Sequence, residues 1–172
     1  MKEHLIIRMD GSFQVLKWYV DATFAVHPDF KSHAVGCLLL SESCGTIIST
    51  STKQNLNTIS STEVELVGVG KIIGKLMWFQ EFIKMHGFAP GRTTLFQDNQ
   101  SDMLLETKGK ASSTKKNHHI NIRYVHVADL VAKGRFGVEY CNTKKIVAYF
   151  FTKPLQGEKF LKFKKLILGE NQ

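Results

Sequence analysis

Alternation of apolar and polar positions predicts three β-strands in the first third of the chain. Leu16, Trp18 and Val20 alternate with more polar positions, so these three side chains would share one face of a strand. The polar segment 41–45 separates two further β-like runs and is typical of a hairpin turn. The predicted strands cover residues 15–21, 34–40 and 46–51.

A helical repeat follows these strands. Ser60 and Glu63 fit a capping box, in which the serine caps the helix and the glutamate occupies its third position. Beyond them, apolar residues recur at the helical spacings of three and four. These residues are Val69, Ile72, Leu76, Phe79 and Ile83. Gly87 and Pro90 would end the helix.

The rest of the chain alternates between strand-like and helical segments. The predicted elements are a strand at 93–98, a helix start at 99–101, a helix at 119–133, a strand at 135–141 and helices at 145–151 and 155–168. Antiparallel strands followed by such an alternation predict an α/β fold with a mixed sheet flanked by helices.

Length and composition narrow the class of protein. The 172 residues, 43% of them hydrophobic, suit one domain with its own core and argue against a disordered chain. There is no apolar run of membrane-spanning length, and the first eight residues lack the apolar region of a signal peptide. The three cysteines show no Cys-x-x-Cys spacing, which disfavours a zinc site or a disulfide framework. We therefore expect a soluble intracellular domain, cytoplasmic or nuclear, without a membrane partner.

Positive charge is concentrated in the last two fifths of the sequence. The net charge is +8 overall, and residues 106–172 hold 14 basic and 5 acidic side chains, a net of +9. Four of the lysines flank a Ser/Thr-rich stretch: Lys108, Lys110, Lys115 and Lys116. One-sided positive charge favours a polyanion such as nucleic acid, because contacts to phosphates release counterions. A solvated basic face that maintains solubility is the alternative.

Three acidic residues are candidates for a functional site, and Glu65 is the one for which a structural role is hardest to find. Asp21 would close the first strand and Asp98 would join a strand to a helix, so a turn and a helix N-cap are their simplest roles. Glu65, four residues before Val69, would head the apolar stripe and point into the core. A buried carboxylate needs a partner or a metal ion. Because functional sites gather at strand ends and adjoining helix starts, these oxygens could converge on Mg²⁺ or Mn²⁺ rather than on zinc.

Other motifs are better explained by structure. The glycines of segment 68–74 partly match a dinucleotide-binding pattern, but they lie inside the predicted helix, whereas that pattern requires a position directly after a strand. His118 and His119 could bind a metal or move a proton, although a structural histidine is the simpler interpretation of His119. Trp18, Trp78 and Phe79 are interpreted as core residues, and Cys37 and Cys141 as small buried ones.

Five ordered motifs resemble the ribonuclease H domain of copia-type LTR retrotransposon Pol polyproteins. They are Trp18-Tyr19-Val20-Asp21-Ala22, Ser60-Ser61-Thr62-Glu63-Val64-Glu65-Leu66, Gln97-Asp98-Asn99-Gln100-Ser101, His119-Ile120-Asn121-Ile122-Arg123-Tyr124 and Phe151-Thr152-Lys153-Pro154-Leu155. The resemblance covers residues 15–168, which would leave 1–14 as an N-terminal remnant segment and 169–172 as a tail.

The resemblance implies a fold, an activity and a set of ligands. The fold would be RNase H-like, a five-stranded mixed sheet with three antiparallel strands and then parallel ones, flanked by helices. The activity would be endonuclease hydrolysis of the RNA strand of RNA–DNA hybrids during reverse transcription, with a reverse transcriptase in the same polyprotein as partner. Family members hold two Mg²⁺ or Mn²⁺ ions through four carboxylates. Asp21, Glu65 and Asp98 match the first three.

The fourth family carboxylate is replaced here by Tyr149. A phenol is neutral at pH 7 and a poor Mg²⁺ ligand, so we expect an impaired nuclease. Asn121 replaces a further family aspartate, which is a milder change. The residues expected to bind nucleic acid are Lys108, Lys110, Lys115, Lys116, His119, Arg123 and Lys153.

Two other functions stay open. One is a catalytically inactive nucleic-acid-binding module, for which binding to a hybrid would depend steeply on salt and no cleavage would occur. The other is the relic of a decayed element, suggested by the position of Met1 just before the matching region.

Overall fold

The computed structural model describes residues 15–41, 44–99 and 118–170, apart from the side chains of 118–121 and 124. Its strands are β1 (Val15–Thr23), β2 (His33–Leu39), β3 (Ile48–Lys53), β4 (Arg92–Gln97) and β5 (Gly137–Tyr140). Its helices are α1 (Ser61–Met85), α2 (His118–Ala132), a 3-10 helix (Val147–Phe151) and α3 (Gly157–Leu168). None of the helices in these ranges is both long and apolar enough to cross a bilayer.

The five strands form one mixed sheet in the order β3-β2-β1-β4-β5. The first three strands pair antiparallel, and β4 and β5 add to β1 in parallel. This arrangement confirms the predicted five-stranded mixed sheet flanked by helices.

Some element boundaries differ from the prediction. β1 continues beyond Asp21 to Thr23, because pairing with β2 persists as far as the Thr23–His33 pair. The placement of Asp21 at the very end of its strand is therefore wrong. β3 runs two residues later than predicted, and the predicted helix at 145–151 is a shorter 3-10 helix. The five-residue segment closes with Thr152 N–H donating to the Tyr149 carbonyl, an i to i+3 bond.

The two faces of the sheet carry separate apolar clusters. Leu16, Trp18 and Val20 are fully buried against α1 and α2, as their alternation predicts. The opposite face of β2 packs against the 3-10 helix. Its cluster of buried residues contains Val35, Cys37, Leu39, Ile146, Val147 and Ala148.

Two glycines allow α1 to lie close to the sheet. A Cβ atom on Gly36 of β2 would stand 2.4 Å from Ile72 Cδ1, a distance that real contacts do not reach. A Cβ on Gly68 would stand 3.4 Å from Ala22 Cβ and 3.5 Å from Ala34 Cβ. Small residues on both elements therefore set the helix-to-sheet distance beside Asp21 and Glu65.

Several minor predictions have clear outcomes. Segment 68–74 lies within α1, so the dinucleotide-binding interpretation stays excluded. Trp18 and Phe79 are buried, as predicted. Trp78 is 60% exposed and stacks on Phe82, so its assignment to the core is wrong. Its position off the apolar stripe of α1 explains the difference.

The cysteines behave as small side chains without a disulfide. Cys37 is fully buried, and burial raises the pKa of its thiol to about 12. Cys141 is half-buried, so the prediction for it holds only in part.

Candidate active site

The carboxyl groups of Asp21, Glu65 and Asp98 meet in one place. One ligand oxygen from each residue lies within 4.8 Å of the other two. Asp21 and Glu65 are buried, and Asp98 is half-buried. These three residues, here called the carboxylate cluster, come from three separate stretches of the sequence.

Strand register explains why two of the acids are neighbours. β1 and β4 are parallel, and Tyr19 pairs with Phe96. Continuing this register by two residues along both strands places Asp21 opposite Asp98, which directly follows β4. In a parallel pair, side chains at matching positions point to the same face of the sheet.

The start of α1 supplies the third acid. Ser60 is the N-cap, and its hydroxyl accepts the Glu63 N–H at 3.2 Å. The Glu63 carboxylate accepts the Ile59 N–H at 2.8 Å, one residue before the position that a standard capping box would use. Glu65 is only 8% exposed. The two glutamates therefore divide as predicted, with Glu63 at the cap and Glu65 facing inward.

The environment of Asp21 disfavours its charged form. Burial raises the pKa of the Asp21 carboxyl, and the nearby Asp98 carboxylate raises it further. The Thr152 hydroxyl donates a hydrogen bond to Asp21 Oδ2, and Lys153 lies close enough to act electrostatically; both oppose the rise. A divalent cation would relieve the same repulsion.

A second threonine supports Asp98. The Thr143 hydroxyl donates to Asp98 Oδ2 at 2.9 Å from the turn that follows β5. Sequence reasoning missed both threonines as site residues. Thr152 lies inside a recognised motif, which was a usable signal, whereas Thr143 has no distinguishing context. The N-cap alternative for Asp98 concerns a helix whose residues lie outside the described ranges.

Tyr149, the predicted fourth position, belongs to the 3-10 helix. It is half-buried and packs on the apolar cluster of that face, with its ring centroid 6.3 Å from that of Phe163. Within the described residues, the acidic cluster has three members. The segment 149–153 therefore brings a hydroxyl and a lysine to Asp21 and no carboxylate.

The predicted nucleic-acid-binding residues have different outcomes. Lys108, Lys110, Lys115, Lys116 and the His119 side chain lie outside what the structure describes. Lys153 lies beside Asp21.

Arg123 is half-buried elsewhere in the fold. It lies against α1, where its Nη1 atom is 3.4 Å from the position of a Cβ on Gly70, and it is near Lys71. Of these two residues, Lys153 lies close to the carboxylate cluster, whereas Arg123 contacts α1.

Oxygen donors of this kind fit a hard divalent cation. Three carboxyl groups offer only oxygen ligands, which Mg²⁺ and Mn²⁺ prefer. Burial, and to a smaller extent the Asp98 carboxylate, raises the pKa of Asp21, and a bound cation would offset both effects by stabilising the charged form.

Comparison with solved structures identifies the fold. No protein-family model matches the sequence. LC11-RNase H1, isolated from compost by a metagenomic approach, is 12% identical, with 89% of this chain and 92% of that one covered and a TM-score of 0.52. The same enzyme in complex with an RNA/DNA hybrid is 10% identical over 76% and 88% of the two chains, with a TM-score of 0.54. The chain has the RNase H fold.

A viral protein shows the same likeness within a longer chain. Prototype foamy virus protease-reverse transcriptase is 13% identical and has a TM-score of 0.50. The match covers 89% of this chain and 20% of the viral one. The RNase H fold thus also occurs as one part of a reverse transcriptase protein.

Proposed function

We propose that this chain is a divalent-metal-dependent endonuclease that hydrolyses the RNA strand of RNA–DNA hybrids. The convergence of Asp21, Glu65 and Asp98 within 4.8 Å carries this proposal. An RNase H fold can host unrelated activities, so the argument rests on the site and not on the fold alone.

The three carboxylates would hold Mg²⁺ or Mn²⁺. Such ions, two in an intact family site, supply an activated water and stabilise the leaving oxygen of the phosphodiester. Asp21 and Asp98 from the sheet side and Glu65 from α1 would each offer a carboxylate oxygen to such an ion. Thr152 fixes the orientation of Asp21 and Thr143 fixes that of Asp98, because each hydroxyl donates to one carboxylate oxygen.

Tyr149 is the basis for proposing a slow enzyme. Tyr149 offers no carboxylate, so the bound ions would share three carboxylates where the resembled family has four. Loss of one ligand weakens the second ion's site and reduces the rate, each factor of ten being about 1.4 kcal/mol of barrier.

The neighbours support the choice of substrate and context. LC11-RNase H1 has been crystallised with an RNA/DNA hybrid, and the foamy virus neighbour combines protease and reverse transcriptase in one protein. From these neighbours and the five copia-type motifs we infer that the chain belongs to a retrotransposon Pol polyprotein and has a reverse transcriptase as its partner. In that setting, we interpret the chain, with three carboxylates in its site, as a degenerate copy of a ribonuclease H domain.

A catalytically inactive nucleic-acid-binding remnant is the second candidate. The replacement of a carboxylate by Tyr149 and the net charge of +9 over residues 106–172 favour it. It differs from the first candidate in one measurable respect, which is cleavage.

A hybrid cleavage assay separates the two candidates. An end-labelled RNA–DNA hybrid is incubated with the wild type, Asp98→Asn and Tyr149→Asp in Mg²⁺, in Mn²⁺ and in EDTA. We expect slow cleavage in either metal, none in EDTA and none with Asp98→Asn. Tyr149→Asp should raise the rate about tenfold or more by restoring a fourth carboxylate.

Asp29→Asn is the matched control, since it makes the same chemical change at an exposed residue paired with Lys53. It should cleave like the wild type. Cleavage that persists in Asp98→Asn would contradict the proposed site. Salt-dependent hybrid binding with no cleavage in either metal would select the inactive remnant.

A further inference from the structure

A cleft lined by lysines opens next to the carboxylate cluster, on the face of the sheet covered by α3. Its volume is about 570 Å³. Lys144 comes from the turn after β5, and Lys159 and Lys162 come from α3. Tyr149, Phe163 and Thr143 complete the part of the lining that matters here. We call this site the lysine cleft.

Thr143 joins the lysine cleft to the carboxylate cluster. The residue lines the cleft, and its hydroxyl donates to Asp98 at 2.9 Å. A ligand that occupied the cleft would therefore end within one side chain of the proposed metal ligands.

The charge of the cleft suits an anion. All three of its lysines are exposed, and no carboxylate is among the residues that line it. None of the three forms an ion pair within the described part of the chain. A second cavity of about 430 Å³ shares Lys162 and adds Lys17 and Lys145, which extends the positive surface along the same face.

The size and the aromatic lining of the cleft restrict the anion further. A volume of about 570 Å³ lies in the range for one ligand of nucleotide size and is far too small for a duplex. The half-buried ring of Tyr149 packs near the buried ring of Phe163 and borders the space. Aromatic rings beside a positive groove are the elements with which proteins bind single strands without reading sequence.

We propose that the lysine cleft binds one nucleotide unit of a single-stranded nucleic acid, with its phosphates on Lys144, Lys159 and Lys162 and its base against Tyr149. This inference rests on the proposed function for the identity of the polymer, but not for any step of cleavage. It also gives Tyr149 a role. An aspartate at that position would place a negative charge in a site for phosphates, whereas a phenol does not.

The test is direct binding in EDTA, where no cleavage can occur. Fluorescence anisotropy would measure the Kd of a labelled six-nucleotide single-stranded RNA and of a blunt 20-base-pair hybrid. The cleft variant carries Lys144→Gln, Lys159→Gln and Lys162→Gln. The control variant carries Lys75→Gln, Lys84→Gln and Lys133→Gln, the same loss of charge at exposed lysines of α1 and of the turn after α2.

The cleft variant should bind the single strand at least about tenfold more weakly than the control variant does. The logarithmic salt dependence of single-strand binding should be shallower for the cleft variant than for the control variant by about 0.7 to 1.4, because each of the one or two phosphates of a nucleotide unit contributes about 0.7. Binding of the blunt hybrid should change less than about threefold between the two variants. Tyr149→Phe should bind the single strand like the wild type, and Tyr149→Asp more weakly.

Three results would overturn the inference. The first is equal weakening of single-strand binding by the cleft and control variants, which would reflect net charge alone. The second is an equal loss for single strand and hybrid, which would assign the cleft to duplex. The third is competition by inorganic phosphate as strong as that by a nucleoside monophosphate, which would leave an anion site without base contact. Failure of the proposed nuclease activity would leave all of these measurements interpretable.

Discussion

Helices α1 and α3 cover opposite faces of one sheet, but they are attached to it very differently. Of the 25 residues of α1, 12 are buried, among them Leu66 and Leu76. Of the 12 residues of α3, only Phe163 is buried. α1 also begins with a side-chain cap from Ser60, whereas Gln156, the N-cap of α3, makes no side-chain cap hydrogen bond.

This difference assigns different tasks to the two helices. α1 is fixed in the core and can therefore hold the Glu65 carboxylate in a buried position at defined distances from two others. α3 contributes little to the core and presents Lys159 and Lys162 to solvent. The deeply packed helix thus supplies one of the three candidate metal ligands, and the lightly packed helix carries part of the candidate cationic surface.

The largest effect should follow from a cavity under α1. Leu66→Ala should lower the free energy of unfolding by about 2–5 kcal/mol, because Leu66 is fully buried and its removal leaves a void. Leu161→Ala, the same change at a residue of α3 that is 54% exposed, is the control and should cost less than about 1 kcal/mol. Urea denaturation of both variants measures this. Equal losses would contradict the asymmetry.

A smaller effect is expected where α1 approaches β2. Gly36→Ala should destabilise the protein by about 1–3 kcal/mol, because the new Cβ would stand 2.4 Å from Ile72 Cδ1. In Gly74→Ala, where no atom lies within 4 Å, the change should instead stabilise α1 by up to about 1 kcal/mol. Thermal unfolding measures both variants, and their Tm values should shift in opposite directions if α1 lies as close to Gly36 as the structure shows. A stable Gly36→Ala protein would mean that Ile72 can move aside.

The helix cap should contribute less again. Ser60→Ala removes the hydroxyl that accepts the Glu63 N–H and should cost about 1 kcal/mol. Ser61→Ala makes the same change at the first, exposed residue of α1 and should be close to neutral. Chemical denaturation of the two variants compares them. A loss in Ser61→Ala as large as that in Ser60→Ala would remove the N-cap assignment.

The smallest effect concerns pH. Burial raises the pKa of Asp21 above its ordinary value of 3.8, so the folded state holds this proton more tightly than the unfolded chain does. The experiment is done in EDTA so that no metal ion competes with the proton. The stabilising contribution of Asp21 is complete below the ordinary pKa and is lost as pH rises through the raised one. Compared with Asp21→Asn, the wild type should therefore lose stability from acidic to neutral pH.

A residue with the opposite shift provides the control. The hydrogen bond and charge of Lys53 lower the pKa of Asp29, so its contribution is present above the ordinary pKa and is lost as pH falls. The difference between wild type and Asp29→Asn should change with pH in the opposite direction. Denaturation curves of the three proteins over this pH range check both signs. A wild type that tracks Asp21→Asn at every pH would mean that the Asp21 pKa is not raised.

Much of this fold could be predicted from local patterns. The Leu16, Trp18 and Val20 alternation predicted the buried face of β1, and Ser60 with Glu63 predicted the start of α1. Both depend on residues a few positions apart. Trp78 shows the limit, because distance from a stripe, and not hydrophobicity, decided its 60% exposure.

The residues of the candidate site also separate into those that the sequence could identify and those that it could not. Asp21, Glu65 and Asp98 could be selected from the sequence, because Glu65 heads an apolar stripe and the two aspartates lie near the ends of predicted strands, where functional sites gather. Thr143 could not be selected, because its role depends on a turn after β5 that comes within 2.9 Å of Asp98, 45 residues earlier.

The sequence alone determined the elements and the candidate carboxylates, since periodicity, caps and charge are properties of neighbouring residues. Only the tertiary structure decided that Asp98 comes level with Asp21, that Thr152 reaches Asp21, and that Tyr149 borders a cleft with three lysines. Strand register and the packing of distant segments create these contacts, and neither is written in any local pattern.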